Sequence, residues 1–405
     1  MPIRRLQYCV DNDWKNSLAQ KYTAVMNPST GEQIAEAPVC TRAEVEAAVA
    51  SCRAAFPGWA AKPVAVRTQV LFKFRELANS HFEELAVLLA SEMGKNLDEA
   101  RGDVFKVIEA CELAVGAPLE LQGHSLMEAT RSHDITSYRE PVGVFLGIAP
   151  YNFPAMIPFG WFIPSCIVSG NCMVLKAATM VPQTGMRLLE LLIEAGLPKG
   201  VVNLVTCSRE ELTALLEHKD IDGITFVGSE SVGKKIYSVA APQQGATLVL
   251  DGRNCRPKGF ENGFFVGPTI FDHVKPGMSV GDDEIFGPVL CVKRCKDFEE
   301  GLALMNANPF ANGSSIFTTS GHYAREFAQR THGGMVGVNV GIPVPLGFFP
   351  FSGHKRSFYG DLYVLGRDGM RFYTQIKTVT TKWISPAESH EAKVSTWEGT
   401  INRDL

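Results

Sequence analysis

The stretch that decides the fold is PVGVFLGIAPYNFPAMIPFGWFIPSCIVSGNCMVL, residues 141–175, which contains no charged side chain. Its length would suit a membrane span, but prolines and glycines interrupt any continuous apolar helix that could satisfy its own backbone in lipid. The sequence therefore predicts that this stretch is the buried core of a soluble domain. The interrupting residues are Pro150, Pro154, Pro158, Pro164, Gly143, Gly147, Gly160 and Gly170.

The hydrophobic period changes inside this stretch and predicts a strand, turn, helix, strand unit. Residues 142–149 and 172–175 are β-prone runs, and 155–168 is a mostly apolar helix. Both strands are almost devoid of polar residues, as is typical of parallel strands covered on both faces. Ligands of such sheets bind at the carboxyl ends of the strands, where Asn152 and Lys176 lie.

Composition bounds the class of protein. The chain has 405 residues, 45% hydrophobic and 20% charged, which predicts a large core and two or three domains. A net charge of -4 with no long basic cluster gives no reason to expect nucleic acid or a membrane surface as a partner.

Cysteine and histidine usage argues against a metal site. Ten cysteines occur without a CxxC pair or zinc-type spacing, and the nine histidines include no HExxH, so we expect no bound metal and a reducing compartment. The basic N-terminus lacks an apolar segment, so we expect no targeting peptide and a cytoplasmic protein, unless a leader has been lost.

Regular α/β alternation follows the central stretch and ends in a candidate anion site. Gly228 and Ser229 follow a predicted strand at 223–227 and precede a helical pattern. Backbone N–H groups at such a junction can face a phosphate of a dinucleotide. The turn is not a GxGxxG motif, and many strand-to-helix turns bind nothing, so a purely structural turn stays an alternative.

Two polar, β-prone segments need partners. Residues 122–140 and 371–383 alternate along their length and cannot bury a face alone, so we expect them to pair in an oligomerisation sheet of a homo-oligomer.

Together these segments resemble the aldehyde dehydrogenase superfamily from about residue 8 to 383. The subgroup they resemble most is methylmalonate-semialdehyde dehydrogenase, the CoA-acylating branch. The motifs that carry the family resemblance are 149–154 (APYNFP), 175–176 (LK), 226–229 (FVGS), 284–289 (EIFGPV) and 350–353 (PFSG), and those that carry the subgroup are 339–345 (NVGIPVP) and 372–375 (FYTQ).

The resemblance implies an NAD site and a reaction. Lys176 would contact the adenosine ribose, Ser229 the pyrophosphate and Glu284 the nicotinamide ribose, while Asn152 would donate to an oxyanion. The reaction would be the oxidation of malonate or methylmalonate semialdehyde by NAD with loss of CO2 and transfer of the acyl group to CoA, so that the products are NADH, CO2 and acetyl- or propanoyl-CoA, a step of valine catabolism. The full implied cofactor-binding set is Tyr151, Phe153, Lys176, Gly228, Ser229, Glu284 and Phe286.

The departures from the family pattern concern catalysis. The segment that would carry the nucleophilic cysteine is missing, because residue 245 runs directly into a part of the family that lies well beyond that cysteine. Cys255 lies in a segment similar to a post-catalytic loop, and nucleophile geometry is too strict for it to be a ready substitute. Thr179 replaces a ribose-binding Glu, and Lys106 replaces a substrate-carboxylate Arg without its bidentate fork.

The fold class predicted is α/β and aldehyde dehydrogenase-like. It comprises a Rossmann-type NAD-binding domain (1–121 and 141–250), a truncated α/β catalytic domain (251–363) and an oligomerisation region (122–140 and 364–405). Residues 247–250 are expected to join the parallel nucleotide sheet, since the preceding residues suffice for a crossover. We expect an inactive enzyme by descent, with a catalytically dead NAD-binding or scaffold protein, or an incomplete gene product, as alternatives.

Overall fold

The computed structural model of the chain describes residues 3–130, 132–228, 257–282 and 284–383, and the backbone of 247–250. Within these ranges, no helix is long and apolar enough to cross a membrane. The helices are α1 (Arg42–Ala60), α2 (Val64–Ser80), α3 (Phe82–Met93), α4 (Leu97–Ala114), α5 (Ala117–Glu120), a π-helix (Met156–Phe162), α6 (Ile163–Val168), α7 (Gln183–Glu194), α8 (Arg209–Leu216), α9 (Ser279–Asp282), α10 (Phe298–Ala307), α11 (Gly321–Arg330) and α12 (Gly366–Phe372).

In the part of the chain that the structure describes, the strands form six sheets, of which the largest has six strands. They are β1 (Tyr8–Val10), β2 (Asp13–Lys15), β3 (Tyr22–Asn27), β4 (Glu32–Pro38), β5 (Ser125–Thr130), β6 (His133–Pro141), β7 (Val144–Ile148), β8 (Cys172–Lys176), β9 (Val202–Val205), β10 (Gly223–Phe226), β11 (Thr247–Leu250), β12 (Thr269–Asp272), β13 (Val289–Cys291), β14 (Phe310–Ala311), β15 (Gly313–Ile316), β16 (Met335–Val338), β17 (His354–Lys355) and β18 (Thr374–Lys382).

The largest sheet confirms the prediction made from the central stretch. Its order is β10-β7-β8-β9-β1-β2, with β10, β7, β8 and β9 mutually parallel and β1 antiparallel to β9. Every residue of β7 and β9 is buried, because helices cover both faces of these apolar strands. The helix between β7 and β8 opens as a π-helix, in which the Ile163 N–H donates to the Pro158 carbonyl.

Local signals in the sequence set the helices that cover this sheet. Thr41 and Glu44 form a capping box at the start of α1, and Asn96 caps α4 by accepting from the Glu99 N–H. Gly94 ends α3 with φ of 85°, a left-handed conformation that favours glycine. The chain breaks at His81, which separates α2 from α3.

The two polar segments pair with each other, as predicted. β18 runs antiparallel to β6 in continuous register from Thr374 opposite Pro141 to Lys382 opposite His133, and β5 lies on the other side of β6. The predicted strand start at 371 is displaced, because Arg371 and Phe372 belong to α12. The role of this sheet in assembly stays a prediction.

The prediction that 247–250 join the nucleotide sheet is wrong. β11 pairs antiparallel with β12, which in turn pairs parallel with β13, in a separate three-stranded sheet. The number of residues before β11 permits a crossover but does not select a partner, and the β-prone Thr269–Asp272 segment supplies one that lies in the same part of the chain.

Candidate active site

The carboxyl ends of the parallel strands form one edge. Lys176, the last residue of β8, lies opposite Ile148 of β7, which lies opposite Phe226 of β10. The ladder continues past the strand ends, because the Ala149 N–H donates to the Lys176 carbonyl at 3.2 Å. Asn152 follows this edge by four residues, so the structure brings the predicted Asn152 and Lys176 to the same end of the sheet.

Lys176 is a partly buried ammonium at this edge. Its side chain makes no hydrogen bond or ion pair with any residue that the structure describes. Burial lowers the pKa of Lys176, against the opposing effect of Cys207. A partly desolvated cation without a protein partner can donate to ligand hydroxyl or phosphate oxygens.

Two contacts, one at Phe153 and one at Met156, hold the loop that carries Asn152 in place. The Lys95 ammonium lies 3.6 Å from the centroid of the Phe153 ring, and the Met156 N–H donates to Asp103 Oδ1 at 2.7 Å. The Asn152 side chain is partly buried and makes no hydrogen bond with the described residues, so its amide is available to donate to a ligand oxygen.

Lys95 and Asp103 form the buried ion pair that supports this loop. Their closest atoms are 2.9 Å apart, and their side chains are 11% and 0% exposed. Burial raises the pKa of Asp103, opposed by the Lys95 charge. This pair was not predicted from the sequence. The sequence carries a signal for Asp103 alone, since Asp103 interrupts the apolar stripe of α4 formed by Ala100, Val104 and Val107.

The predicted motif that contains Phe286 contacts the motif that contains Tyr151 at this edge. The rings of Tyr151 and Phe286 lie with centroids 6.0 Å apart, nearly perpendicular at 73°. Phe286 has φ of 55°, and Glu284 two residues before it is exposed. The residues at 151–153 and 284–286, predicted from separate motifs, are therefore neighbours.

The predicted phosphate turn is described only at its first residue. A Cβ at Gly228 would lie 2.6 Å from the Phe226 ring, so the turn leaves little room for a side chain there. Ser229 lies outside the described residues, and its contact with pyrophosphate stays a prediction.

Lys106, on α4, lines a surface cleft. Its ammonium is 2.6 Å from a carboxylate oxygen of Glu109, one turn further along α4. Both residues line a small cleft together with Met156 and Trp161. Lys106 therefore has a partner, whereas Lys176 has none among the described residues. The role of Lys106 toward a substrate carboxylate stays a prediction.

Burial raises the pKa of the thiol in eight of the nine described cysteines. Seven are buried, and burial raises the pKa of each: to about 11 in Cys207, the one that interacts with Lys176. Cys291 is partly buried, its thiol donates to the Val280 carbonyl, and burial raises its pKa too. Cys295 is exposed, and Cys255 lies outside the described residues. The other buried cysteines with raised pKa are Cys9, Cys40, Cys52, Cys111, Cys166 and Cys172.

The fold and this edge define an α/β protein with a nucleotide-type site at the carboxyl ends of its parallel strands. Comparison with family models then gives a match to the aldehyde dehydrogenase family over residues 14–244 and 239–379. The chain belongs to the aldehyde dehydrogenase family.

Comparison with individual relatives and solved structures shows which members of the family the chain is similar to. The chain is 36% identical to malonate-semialdehyde dehydrogenase 2 of Geobacillus thermodenitrificans, over 94% of this chain and 99% of that protein. Its fold matches a structure described as methylmalonate-semialdehyde dehydrogenase from Sinorhizobium meliloti, complexed with NAD, with a TM-score of 0.90 and 32% identity over 95% of this chain and 99% of that one. The Oceanimonas doudoroffii methylmalonate-semialdehyde dehydrogenase gives a TM-score of 0.90 at 31% identity, over the same shares of the two chains.

The lengths of the aligned regions differ. The alignment with the Geobacillus thermodenitrificans protein runs over 480 residues, whereas 94% of 405 residues is about 381, a difference of about 100. The family model matches in two stretches that meet at 239–244.

Proposed function

We propose that this chain is a CoA-acylating malonate- or methylmalonate-semialdehyde dehydrogenase by descent that binds NAD and has lost turnover. The observation that carries the proposal is that Lys176 and Asn152 are in place at the edge of the parallel sheet, whereas the family's nucleophilic cysteine has no counterpart there. Lys176 and Asn152 offer donors without partners in the described structure, while Cys207, the described cysteine that interacts with Lys176, is buried and has a pKa raised to about 11 by burial.

The donor set fits NAD. A partly buried ammonium at the end of β8 suits ribose hydroxyls, and the adjacent Tyr151 and Phe286 rings form an apolar wall beside the edge. Glu284, exposed next to that wall, can accept from a second ribose. The Sinorhizobium meliloti neighbour, whose structure contains NAD, supports this choice of cofactor. Thr179 offers no carboxylate for a ribose, so binding should be weaker than in an intact relative.

The residues at the edge can prepare a carbonyl but cannot attack it. NAD, when bound, supplies a hydride acceptor. Asn152 can donate its side-chain N–H to a carbonyl oxygen and stabilise negative charge there. Hydride departs only after a nucleophile has made the carbonyl carbon tetrahedral, and Cys207, the described cysteine that interacts with Lys176 at this edge, has a pKa that burial raises to about 11.

The location of the length difference supports the loss of the nucleophile. About 100 residues of the Geobacillus thermodenitrificans relative have no counterpart here, and the two family matches meet at 239–244. This is the junction at which the sequence runs past the cysteine segment of the family. An incomplete gene product would have the same sequence, and reading the transcript across the codons of residues 245 and 246 distinguishes that case.

The proposal also covers the oligomeric state and the cellular location of the protein. The sheet of β18, β6 and β5 exposes Leu126, Tyr138 and Ile376, which supports a homo-oligomer formed through this sheet. We assign the protein to the cytoplasm on composition alone.

The experiment compares the chain with a grafted version. NADH formation is measured with malonate or methylmalonate semialdehyde plus CoA, and the control inserts the missing segment of the Geobacillus thermodenitrificans relative between residues 245 and 246. We expect no turnover from the chain and recovery in the graft. Turnover by the unmodified chain that disappears in Cys255→Ser would overturn the proposal.

A further inference from the structure

The cleft beside Lys106 begins where the loop that carries Asn152 ends. Met156 forms part of the wall of this cleft, and its N–H is held by Asp103 Oδ1 at 2.7 Å. The residues between Asn152 and Met156 bend and turn, so this segment spans well under the roughly 14 Å of an extended one. A substrate whose carbonyl oxygen accepts from Asn152 therefore has this cleft next to its remaining atoms.

Most of the cleft wall is apolar and closely packed. The Trp161 ring packs against the Phe351 ring with centroids 4.8 Å apart. A Cβ at Gly347 would collide with the Leu113 side chain, so the backbone at this position closes directly on the wall. The apolar side chains that line the cleft are Leu113, Met156, Trp161, Val344, Pro345 and Leu365.

Two charged side chains of opposite sign complete the described lining, Lys106 and Glu109. The Lys106 ammonium lies 2.6 Å from Glu109 Oε2, and the two side chains are 31% and 21% exposed. An anion that approaches the ammonium also approaches this carboxylate, which is the less exposed of the two. The repulsion from Glu109 then largely cancels the attraction to Lys106.

We infer that Glu109 is a specificity-determining residue: it cancels the charge of Lys106, so that the cleft takes an uncharged short-chain aliphatic carbonyl compound in preference to a semialdehyde that carries a carboxylate. The apolar wall acts in the same direction, because it removes water from a carboxylate without offering a donor in exchange. The inference rests on the proposed function at one point, namely that this cleft holds the substrate. It departs from the role in binding a substrate carboxylate that the family resemblance implies for Lys106.

The test compares two ligands of matching shape on the full chain, without turnover. They are methyl isobutyl ketone and acetoacetate, in which a carboxylate takes the place of the isopropyl group of the ketone. Binding is followed by the fluorescence of Trp161, and the Trp161→Phe variant identifies that signal. We expect the ketone to bind about tenfold more tightly than acetoacetate, since the cleft offers an anion no net charge.

Variants of the pair reverse or deepen this preference. Glu109→Gln leaves Lys106 without its carboxylate partner and should tighten acetoacetate binding about tenfold, with little change for the ketone. Lys106→Met leaves the carboxylate and should weaken acetoacetate binding further. The matched control is Glu190→Gln, which removes a partner of Arg187 at the same helical spacing on α7 and should change neither Kd.

Three outcomes would overturn the inference. The first is acetoacetate that binds the unmodified chain as tightly as the ketone, the second is a folded Glu109→Gln variant that gains no affinity for acetoacetate, and the third is a ketone that does not bind. The comparison of the two ligands on the unmodified chain needs no variant, so it holds even where Glu109→Gln does not fold. NAD titration and NADH formation report separately on the proposed function, because turnover by the chain would contradict the loss of catalysis without changing the ratio of the two Kd values.

Discussion

Replacing Asp103 with alanine removes the carboxylate that neutralises Lys95 beneath the Asn152 loop. The two side chains are 0% and 11% exposed, so the change leaves an ammonium largely excluded from water. Breaking a buried pair from one side typically costs about 3–5 kcal/mol. The Met156 N–H also loses its acceptor at 2.7 Å. We place Asp103→Ala at the lower end of this range, because Lys95 keeps some exposure and can partly rehydrate.

The Asp103→Asn variant separates the loss of the ion pair with Lys95 from the loss of the hydrogen bond with the Met156 N–H. Its side-chain oxygen can still accept from the Met156 N–H, so Asp103→Asn should recover the roughly 1–3 kcal/mol that an unsatisfied buried donor costs. The matched control is Asp98→Ala on the same helix, which removes an exposed partner of Arg101 and should leave stability unchanged.

The assay is urea unfolding at neutral pH, followed by the fluorescence of the buried Trp59 and Trp161. We expect the stability order Asp98→Ala, Asp103→Asn, Asp103→Ala, from highest to lowest. Because the pair also holds Phe153, Asp103→Ala should weaken NAD binding under conditions in which it remains folded. Equal stability of the two alanine variants would refute this account of the pair.

Three further predictions follow from other contacts. Lys176→Met should raise the Kd for NAD about tenfold to hundredfold in calorimetry, from a charge-assisted hydrogen bond of about 1.5–3 kcal/mol, whereas Lys106→Met should not change it. Burial raises the pKa of Glu92 to about 7, so the folded state binds the proton more tightly than the unfolded state. The free energy of unfolding should therefore fall as the pH rises from about 4.5 to 7. The Glu92→Gln variant should lack that decline. Ser137→Pro removes an N–H that donates to the His124 carbonyl from the central strand β6, and sedimentation should then show a smaller assembly; an unchanged sedimentation coefficient would speak against assembly through this sheet.

The parts of the fold that local pattern determines could be predicted. Apolar runs without polar interruption identified β7 and β8, and alternating polarity identified β6 and β18 as strands that need partners. The partner of β11 could not be predicted, because chain length allowed the nucleotide sheet while the β-prone β12 was also within reach. Pairing in a sheet depends on which edges are open in three dimensions, and the sequence alone does not give that information.

The site was predictable to a similar degree. Asn152 and Lys176 could be placed at one edge, since both follow parallel strands, and the approach of Tyr151 to Phe286 agrees with their motifs. The Lys95–Asp103 pair was not predicted, because Lys95 precedes α4 and the two residues share no helical face by spacing. The partner of Lys106 was visible at a helical spacing of three residues but could not be distinguished from an ordinary solvated pair.

A single-turnover measurement tests the central claim most directly. The chain is mixed at high concentration with saturating NAD, CoA and methylmalonate semialdehyde, and NADH absorbance is followed alongside a parallel titration that reports NAD binding. The account predicts bound NAD and no NADH, even at a small fraction of the protein concentration. A burst of NADH equal to the protein concentration would contradict it, since such a burst requires a nucleophile that this chain is proposed to lack.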